Sequence, residues 1–305
     1  MRVHLCGVRG STPAPGAEFL RYGGHTSCVA ISHDDSPVPT LILDAGTGLR
    51  RVTPLLGGRP FEGTILLTHL HWDHLHGLPF FRGGDTEGAR VTLLIPEQDG
   101  GTAAAVLARG MSPPHFPIGP DGLHGEWTFG MARPGPLKAE GFTVEAREIP
   151  HKGGRTFGYR VSDGHAVLAY LPDHCPTELG PGPDGWGAYH QAALDLADHA
   201  DLLIHDSFLL APEVAAEASF GHAAAQYAAG LGQRAGARRV ALAHHKPDRT
   251  DAELDQVAAR FAAGPSAAGP SAAGPSAAGP SAAGLSLAGP SPEIFVAAEG
   301  GILDL

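Results

Sequence analysis

Thr68-His69-Leu70-His71-Trp72-Asp73-His74 follows directly on the apolar run Thr64-Ile65-Leu66-Leu67. In an extended backbone, side chains two apart point the same way, so His69 and His71 share a face at the end of a strand. Asp73 and His74 follow at the turn, ahead of a helix read over Leu75–Phe81. Such a cluster supplies nitrogen ligands to one metal ion and mixed nitrogen and oxygen ligands to a second. The competing reading, a histidine-rich surface loop, leaves the strand-then-helix context unexplained.

Working outward, short apolar runs bounded by glycine turns predict strands over Val3–Val8, Cys28–Ser32, Thr40–Leu43, Thr64–Leu67 and Val91–Ile95. Helices are read over Leu49–Leu56 and Ala103–Arg109. Met111–Gly135, rich in Pro and Gly, reads as an ordered loop with little regular structure. The second half predicts strands over Phe142–Ile149, Thr156–Val161, Ala166–Tyr170, Leu202–Ile204 and Arg239–Leu242. Its helices fall over Tyr189–Ala200, Val214–Ala218, Ala223–Gln233 and Asp251–Ala262. Two such halves suggest a layered α/β sandwich with helices outside. Residues 262–291 are six copies of Ala-Ala-Gly-Pro-Ser, the last two altered. With nothing large to bury, this repeat reads as a disordered linker. It interrupts a single domain spanning 1–305, and a last strand over 294–304 returns to the sheet.

The chain has 305 residues, 43% of them apolar, and a net charge of −11 with histidines neutral. That charge disfavours a long phosphate backbone as partner, because such proteins carry a basic stripe. No apolar run reaches the length of a membrane span. The first residues read as a strand rather than a signal peptide. Cys6, Cys28 and Cys175 are odd in number and irregularly spaced, which argues against a disulfide framework and for a cytoplasmic location.

Two metals need more ligands than the first cluster holds. Candidates stand where other strands end: His151, Asp173, and the doublet His244-His245. Strand ends at one edge of an α/β structure converge on a common crevice. Asp44 closes another strand and is read as a carboxylate bonding backbone or a ligand imidazole.

Taken in order, His69, His71, Asp73, His74, His151, Asp173 and His244 resemble the ligand set of the metallo-β-lactamase-fold hydrolases. Gly7-Val8-Arg9-Gly10-Ser11-Thr12-Pro13, Arg21-Tyr22-Gly23-Gly24, Leu43-Asp44-Ala45-Gly46-Thr47-Gly48 and His244-His245-Lys246-Pro247-Asp248 are similar to a branch related to ribonuclease Z and class II cyclic-nucleotide phosphodiesterases. The resemblance implies a four-layer αββα sandwich and two divalent ions, zinc before manganese or iron. His69, His71 and His151 would hold one ion. Asp73, His74 and His244 would hold the second, with His245 the alternative to His244, and Asp173 would bridge. A hydroxide between the metals would then attack a phosphodiester, with Asp73 in the catalytic set. His222 is similar to a non-ligand histidine that these enzymes place opposite the metals; it would steady the transition state or protonate the leaving group, and Asp206 would orient it. Related enzymes often form homodimers.

Two departures stand out. Ala223-Ala224 follow His222 where relatives carry Ser-Thr, and His25 replaces an Asn. The implied function is hydrolysis of a small or cyclic phosphodiester. Ribonuclease Z-like cleavage of precursor tRNA is the near alternative. However, only a hairpin-sized segment separates His151 from Asp173, where long ribonucleases place an RNA-gripping arm. Hydrolysis of a lactone, thioester or β-lactam, and a non-catalytic metal- or nucleotide-binding module, are the other classes.

Overall fold

The structure is a computed structural model, and it describes residues 1–262 and 291–305. The repeat at 262–291 therefore lies outside the described residues except at its two ends. Fourteen strands form two seven-stranded sheets. Strands β1 (Arg2–Gly7), β2 (Cys28–Ser32), β3 (Leu41–Leu43), β4 (Glu62–Leu66), β5 (Arg90–Pro96) and β6 (Glu126–Ala132) lie in the first. Strands β7 (Gly135–Ala139), β8 (Phe142–Glu148), β9 (Phe157–Ser162), β10 (Val167–Leu171), β11 (Leu202–Asp206), β12 (Arg239–Ala243) and β13 (Glu293–Val296) form the second. Strand β14 (Ile302–Asp304) returns to the first sheet, antiparallel to β1. The first sheet runs β14-β1-β2-β3-β4-β5-β6 and the second β13-β12-β11-β10-β9-β8-β7. In each, one half is antiparallel and the other parallel.

Side-chain alternation builds the layers. Val3, Val29, Ile31, Leu41, Leu43 and Leu66 of the first sheet meet Phe142, Val144, Tyr159, Leu168, Tyr170, Leu202 and Ile204 of the second in a shared core. The opposite faces of the same strands carry Cys28, Ala30, Ile42 and Ile65 on one side of the molecule. On the other they carry Ala169, Leu171, Leu203, Val240 and Leu242. Helices α1 (Val52–Leu55) and α3 (Ala103–Ala108) contribute to the first outer layer. Helices α4 (Gln191–Ala197), α5 (Val214–Glu217), α6 (Ala225–Ala235) and α7 (Asp251–Ala262) contribute to the second. A strand covered on both faces is apolar at nearly every position, which is why its sequence reads as a continuous run. The architecture is the αββα sandwich.

Three expectations are corrected. Helix α2 covers Trp72–Leu75, and Leu78–Phe80 is a separate 3₁₀ turn, rather than one helix over Leu75–Phe81. Between them the Gly77 N–H leaves the helix to bond the Ala45 carbonyl at 2.8 Å, an approach only glycine allows, since a Cβ there would lie 2.1 Å from the Gly46 carbonyl oxygen. Met111–Gly135 contains β6. The single last strand over 294–304 is two strands in different sheets, β13 and β14, joined through a turn at Gly300 with φ of 86°. Among the described residues, no helix is long and apolar enough to cross a membrane. Cys6, Cys28 and Cys175 are free and buried.

Candidate metal centre

The ends of β4, β8, β10 and β12 deliver the candidate ligands to one place between the sheets. His69, His71 and His151 form one group whose ligand atoms lie within 4.8 Å of one another, and Asp73, His74 and His244 form another. Asp173 stands between them, with Oδ2 2.9 Å from His74 Nε2 and 3.1 Å from His244 Nε2, and Oδ1 3.4 Å from His151 Nε2. Of the histidine doublet, His244 faces the cluster. His245 turns away, its Nε2 donating to the Ala297 carbonyl at 2.8 Å, and burial pushes its pKa down to about 3.

Hydrogen bonds fix which imidazole nitrogen points inward. His74 Nδ1–H donates to Asp44 at 2.8 Å, and His151 Nδ1–H to the Gly221 carbonyl at 2.8 Å. The Thr68 hydroxyl donates to Asp44, so its oxygen accepts from His69 Nδ1–H at 3.1 Å. The Nε2 lone pairs of all three are left facing the centre. His74 Nε2 then lies 3.4 Å from His244 Nε2, and His151 Nε2 3.3 Å from His71 Nδ1. Each contact is a hydrogen bond when His244 or His71 carries its proton on the facing nitrogen, and in the other tautomer the two facing lone pairs need a cation between them. His69 Nε2 and Asp173 Oδ2 are buried without a hydrogen-bond partner. Polar atoms buried this way are uncommon and mark a site for an ion. Five imidazoles and two carboxylates in this arrangement fit a pair of borderline divalent ions.

The electrostatics agree. Burial pushes the His69, His71 and His151 pKa values down, keeping them neutral as metal binding requires. Burial opposes charge on Asp73 too, but His74 and His244 outweigh it and hold the carboxylate well below its usual range. His74 moves the other way. Burial would lower it, but Asp73, Asp173 and Asp44 raise it.

His222 sits beside this cluster, its ring 5.4 Å from His151 and 5.1 Å from His244. Nδ1 bonds Asp206 Oδ2 at 3.1 Å, and the ring stacks on Phe208 at 4.3 Å. Asp206 is buried and also accepts from the backbone N–H groups of His174, Phe208 and Ala223. Burial lowers the His222 pKa, but Asp206, Asp173 and Asp73 together outweigh it, and the net shift is upward.

Four participants escaped the sequence reading. Ser11 N–H donates to Asp73 Oδ2 at 2.7 Å. Thr68 and Tyr170 both bond Asp44. Gly10 lies against His244, where a Cβ would come within 2.5 Å of the ring. The glycine-rich segment holding Gly10 and Ser11 was visible as a motif but carries no chemistry of its own. Thr68 and Tyr170 look like ordinary strand residues. His76 faces away and stacks on exposed Trp72, and Cys175 bonds Thr177 rather than the cluster.

Comparison with known proteins agrees with this geometry. The family model described as the Beta-lactamase superfamily domain matches residues 40–245. A Ribonuclease Z of Salinibacter ruber is 27% identical over 265 residues, covering 72% of this chain and 79% of that protein. Among solved structures, the metallo-beta-lactamase fold protein YhfI from Bacillus subtilis superposes with a TM-score of 0.66 at 18% identity, covering 99% of each chain. The short form of human tRNase Z superposes with a TM-score of 0.62 at 18% identity, covering 100% of this chain and 99% of that one. With the family model spanning β3 through His245, the chain belongs to the Beta-lactamase superfamily domain family and is a metal-dependent hydrolase of the metallo-β-lactamase fold.

Proposed function

We propose that this chain hydrolyses a small or cyclic phosphodiester. His69, His71 and His151 hold one divalent ion and Asp73, His74 and His244 the other, with Asp173 shared. Bound there, such ions, zinc for a donor set this rich in nitrogen, would supply an activated water and positive charge for the phosphate oxygens. The observation that carries the reading is the His222–Asp206 pair. Asp206 occupies Nδ1 and favours the protonated ring, so Nε2–H is free to donate to an oxygen leaving from the cluster. Asp44, Thr68 and Gly221 hold the ligand imidazoles in their reactive tautomers.

A small substrate is supported by the net charge of −11 and by the chain between His151 and Asp173, which holds only the β9–β10 hairpin. The identity to a Ribonuclease Z keeps precursor tRNA as the second reading. We further read 1–305 as one domain with the repeat as an insertion, because α7 before it and β13 after it contribute to the same outer layer.

The test is metal content followed by turnover of bis-p-nitrophenyl phosphate beside a chromogenic lactam and a lactone. About two ions per chain with phosphodiester cleavage is expected. In His222→Ala the ions should stay bound while turnover falls about 10²–10⁴-fold, the range for loss of a general acid. Turnover confined to the lactone or lactam would move the assignment to carboxylic hydrolysis. Bound ions with no turnover would leave a binding module.

A further inference from the structure

Next to the metal centre, at the C-terminal end of α2, lies an open cavity of about 1080 Å³. None of the candidate ligands lines it. Leu75 and His76, directly after His74, form one wall, and Pro13, two residues past Ser11, reaches its edge. Arg50 and Arg82 both face it, both are exposed, and neither guanidinium has an ion pair or side-chain hydrogen bond among the described residues. Neighbouring arginines are partnered: Arg51 pairs with Glu299 at 3.0 Å and Arg90 with Glu62. In a chain of net charge −11, two free arginines on one cavity mark an anion site. Asp85, the acidic group in the lining, already accepts from the His124 N–H at 2.7 Å and its ring nitrogen at 3.0 Å. The apolar wall is Phe80 against Phe116, edge to face at 5.9 Å, and Phe80 keeps 64% of its surface exposed. An aromatic face held open beside unpaired arginines is a stacking platform for a heterocyclic base.

We propose that this cavity takes a nucleoside monophosphate unit. Arg50 and Arg82 hold its phosphate and Phe80 its base, while the neighbouring phosphodiester of the same molecule lies at the metal centre. The proposal rests on the phosphodiesterase reading and narrows it. The preferred substrate carries a second phosphate and a base beyond the scissile bond, as a 5′-phosphorylated dinucleotide does. The cavity has room for such a unit and more, its volume lying just above the usual range of small-ligand sites.

The experiment compares the metal-loaded full chain with Arg50→Ala/Arg82→Ala and with Phe80→Ala. The substrates are 5′-phosphorylated diadenylate and bis-p-nitrophenyl phosphate, which lacks both the second phosphate and the base. The ratio of kcat/KM for the first over the second should fall at least tenfold in the double variant, through KM, and several-fold in Phe80→Ala. An equal loss on both substrates, or an unchanged ratio, overturns the proposal. If the parent protein cleaves neither substrate, the phosphodiesterase reading fails on its own. The cavity is then judged by calorimetric titration of adenosine 5′-monophosphate into Asp73→Ala and into the same variant carrying Arg50→Ala/Arg82→Ala. Affinity at least tenfold weaker without the arginines supports the site, and equal affinity rejects it.

Discussion

Asp44 and His244 both sit at positive φ, 60° and 56°, a region that side chains other than glycine, asparagine and aspartate seldom occupy. Such strain persists where surrounding bonds over-determine it. Asp44 is held by the Thr68 N–H and hydroxyl, His74 Nδ1–H and the Tyr170 hydroxyl. Asp44→Asn keeps the backbone tolerance but exchanges a carboxylate for an amide. We expect affinity for the ion at His74 to fall about 10–100-fold, the usual cost of losing an imidazole's partner. A chelator competition titration measures it, and undiminished affinity would remove Asp44 from the centre. His244 depends on Gly10. Gly10→Ala puts a Cβ 2.5 Å from a buried ring already packed against Phe208, His222 and His74. We expect one bound ion per chain in place of two, with turnover at least about 100-fold lower. Two ions with parental turnover would show that His244 is not a ligand. At this scale the candidate ligands stood out in the sequence because metal chemistry demands particular side chains. Of their supports, Asp44 stood out as a carboxylate ending a strand, whereas Thr68, Tyr170 and Gly10 did not, since they act through position.

Elements were legible in proportion to their burial. Strands inside both sheets announce themselves as apolar runs. The edges β6 and β7 do not: β6 contains Gly130, β7 contains Pro136, and most residues of both are partly exposed. An edge strand needs neither apolar continuity nor every backbone donor, so Gly and Pro are tolerated there and read as loop. The β9–β10 hairpin gives a pH-dependent test. In its turn, Asp163 accepts from the His165 and Ala166 N–H groups, both at 2.9 Å, and the Met1 amine lies 3.0 Å away. Burial opposes its charge, yet the backbone bonds and the amine outweigh burial and hold the carboxyl at about 2. A depressed carboxylate contributes stability that is present above its unfolded value, near 4, and is lost as pH falls through the folded one. Asp163→Asn should therefore be less stable than the parent by about 1 kcal/mol at neutral pH. The gap should close between about pH 4 and pH 2. Denaturant melts at pH 7, 4 and 2 test this, and a gap that widens with acidification would contradict the assignment.

Across the whole molecule, the centre spans the seam between the sheets. His69, His71, Asp73 and His74 follow β4 of the first sheet. His151, Asp173 and His244 follow β8, β10 and β12 of the second. The sequence showed that two halves converge, because strand ends carry the polar residues that apolar strand interiors exclude. It did not show that the chain's last segment laces the sheets together, β13 onto β12 and β14 onto β1, because a short apolar run does not name its neighbour. Buried Arg9 adds a tie between distant segments, donating to the Gly23, Lys246 and Arg249 carbonyls. Ions held between the sheets act as cross-links that the unfolded chain lacks. An ion at a thousand times its dissociation constant stabilises the native state by about 4 kcal/mol. For a chain of this size that corresponds to roughly 5–10 °C in Tm. Chelation should lower Tm by that amount, zinc should restore it, and Asp73→Ala should respond less to both. Calorimetry on protein whose metal content is counted before and after chelation is the measurement. If Tm holds while the ions leave, the ligands are pre-organised by the sheets alone and the ions serve chemistry without holding the fold.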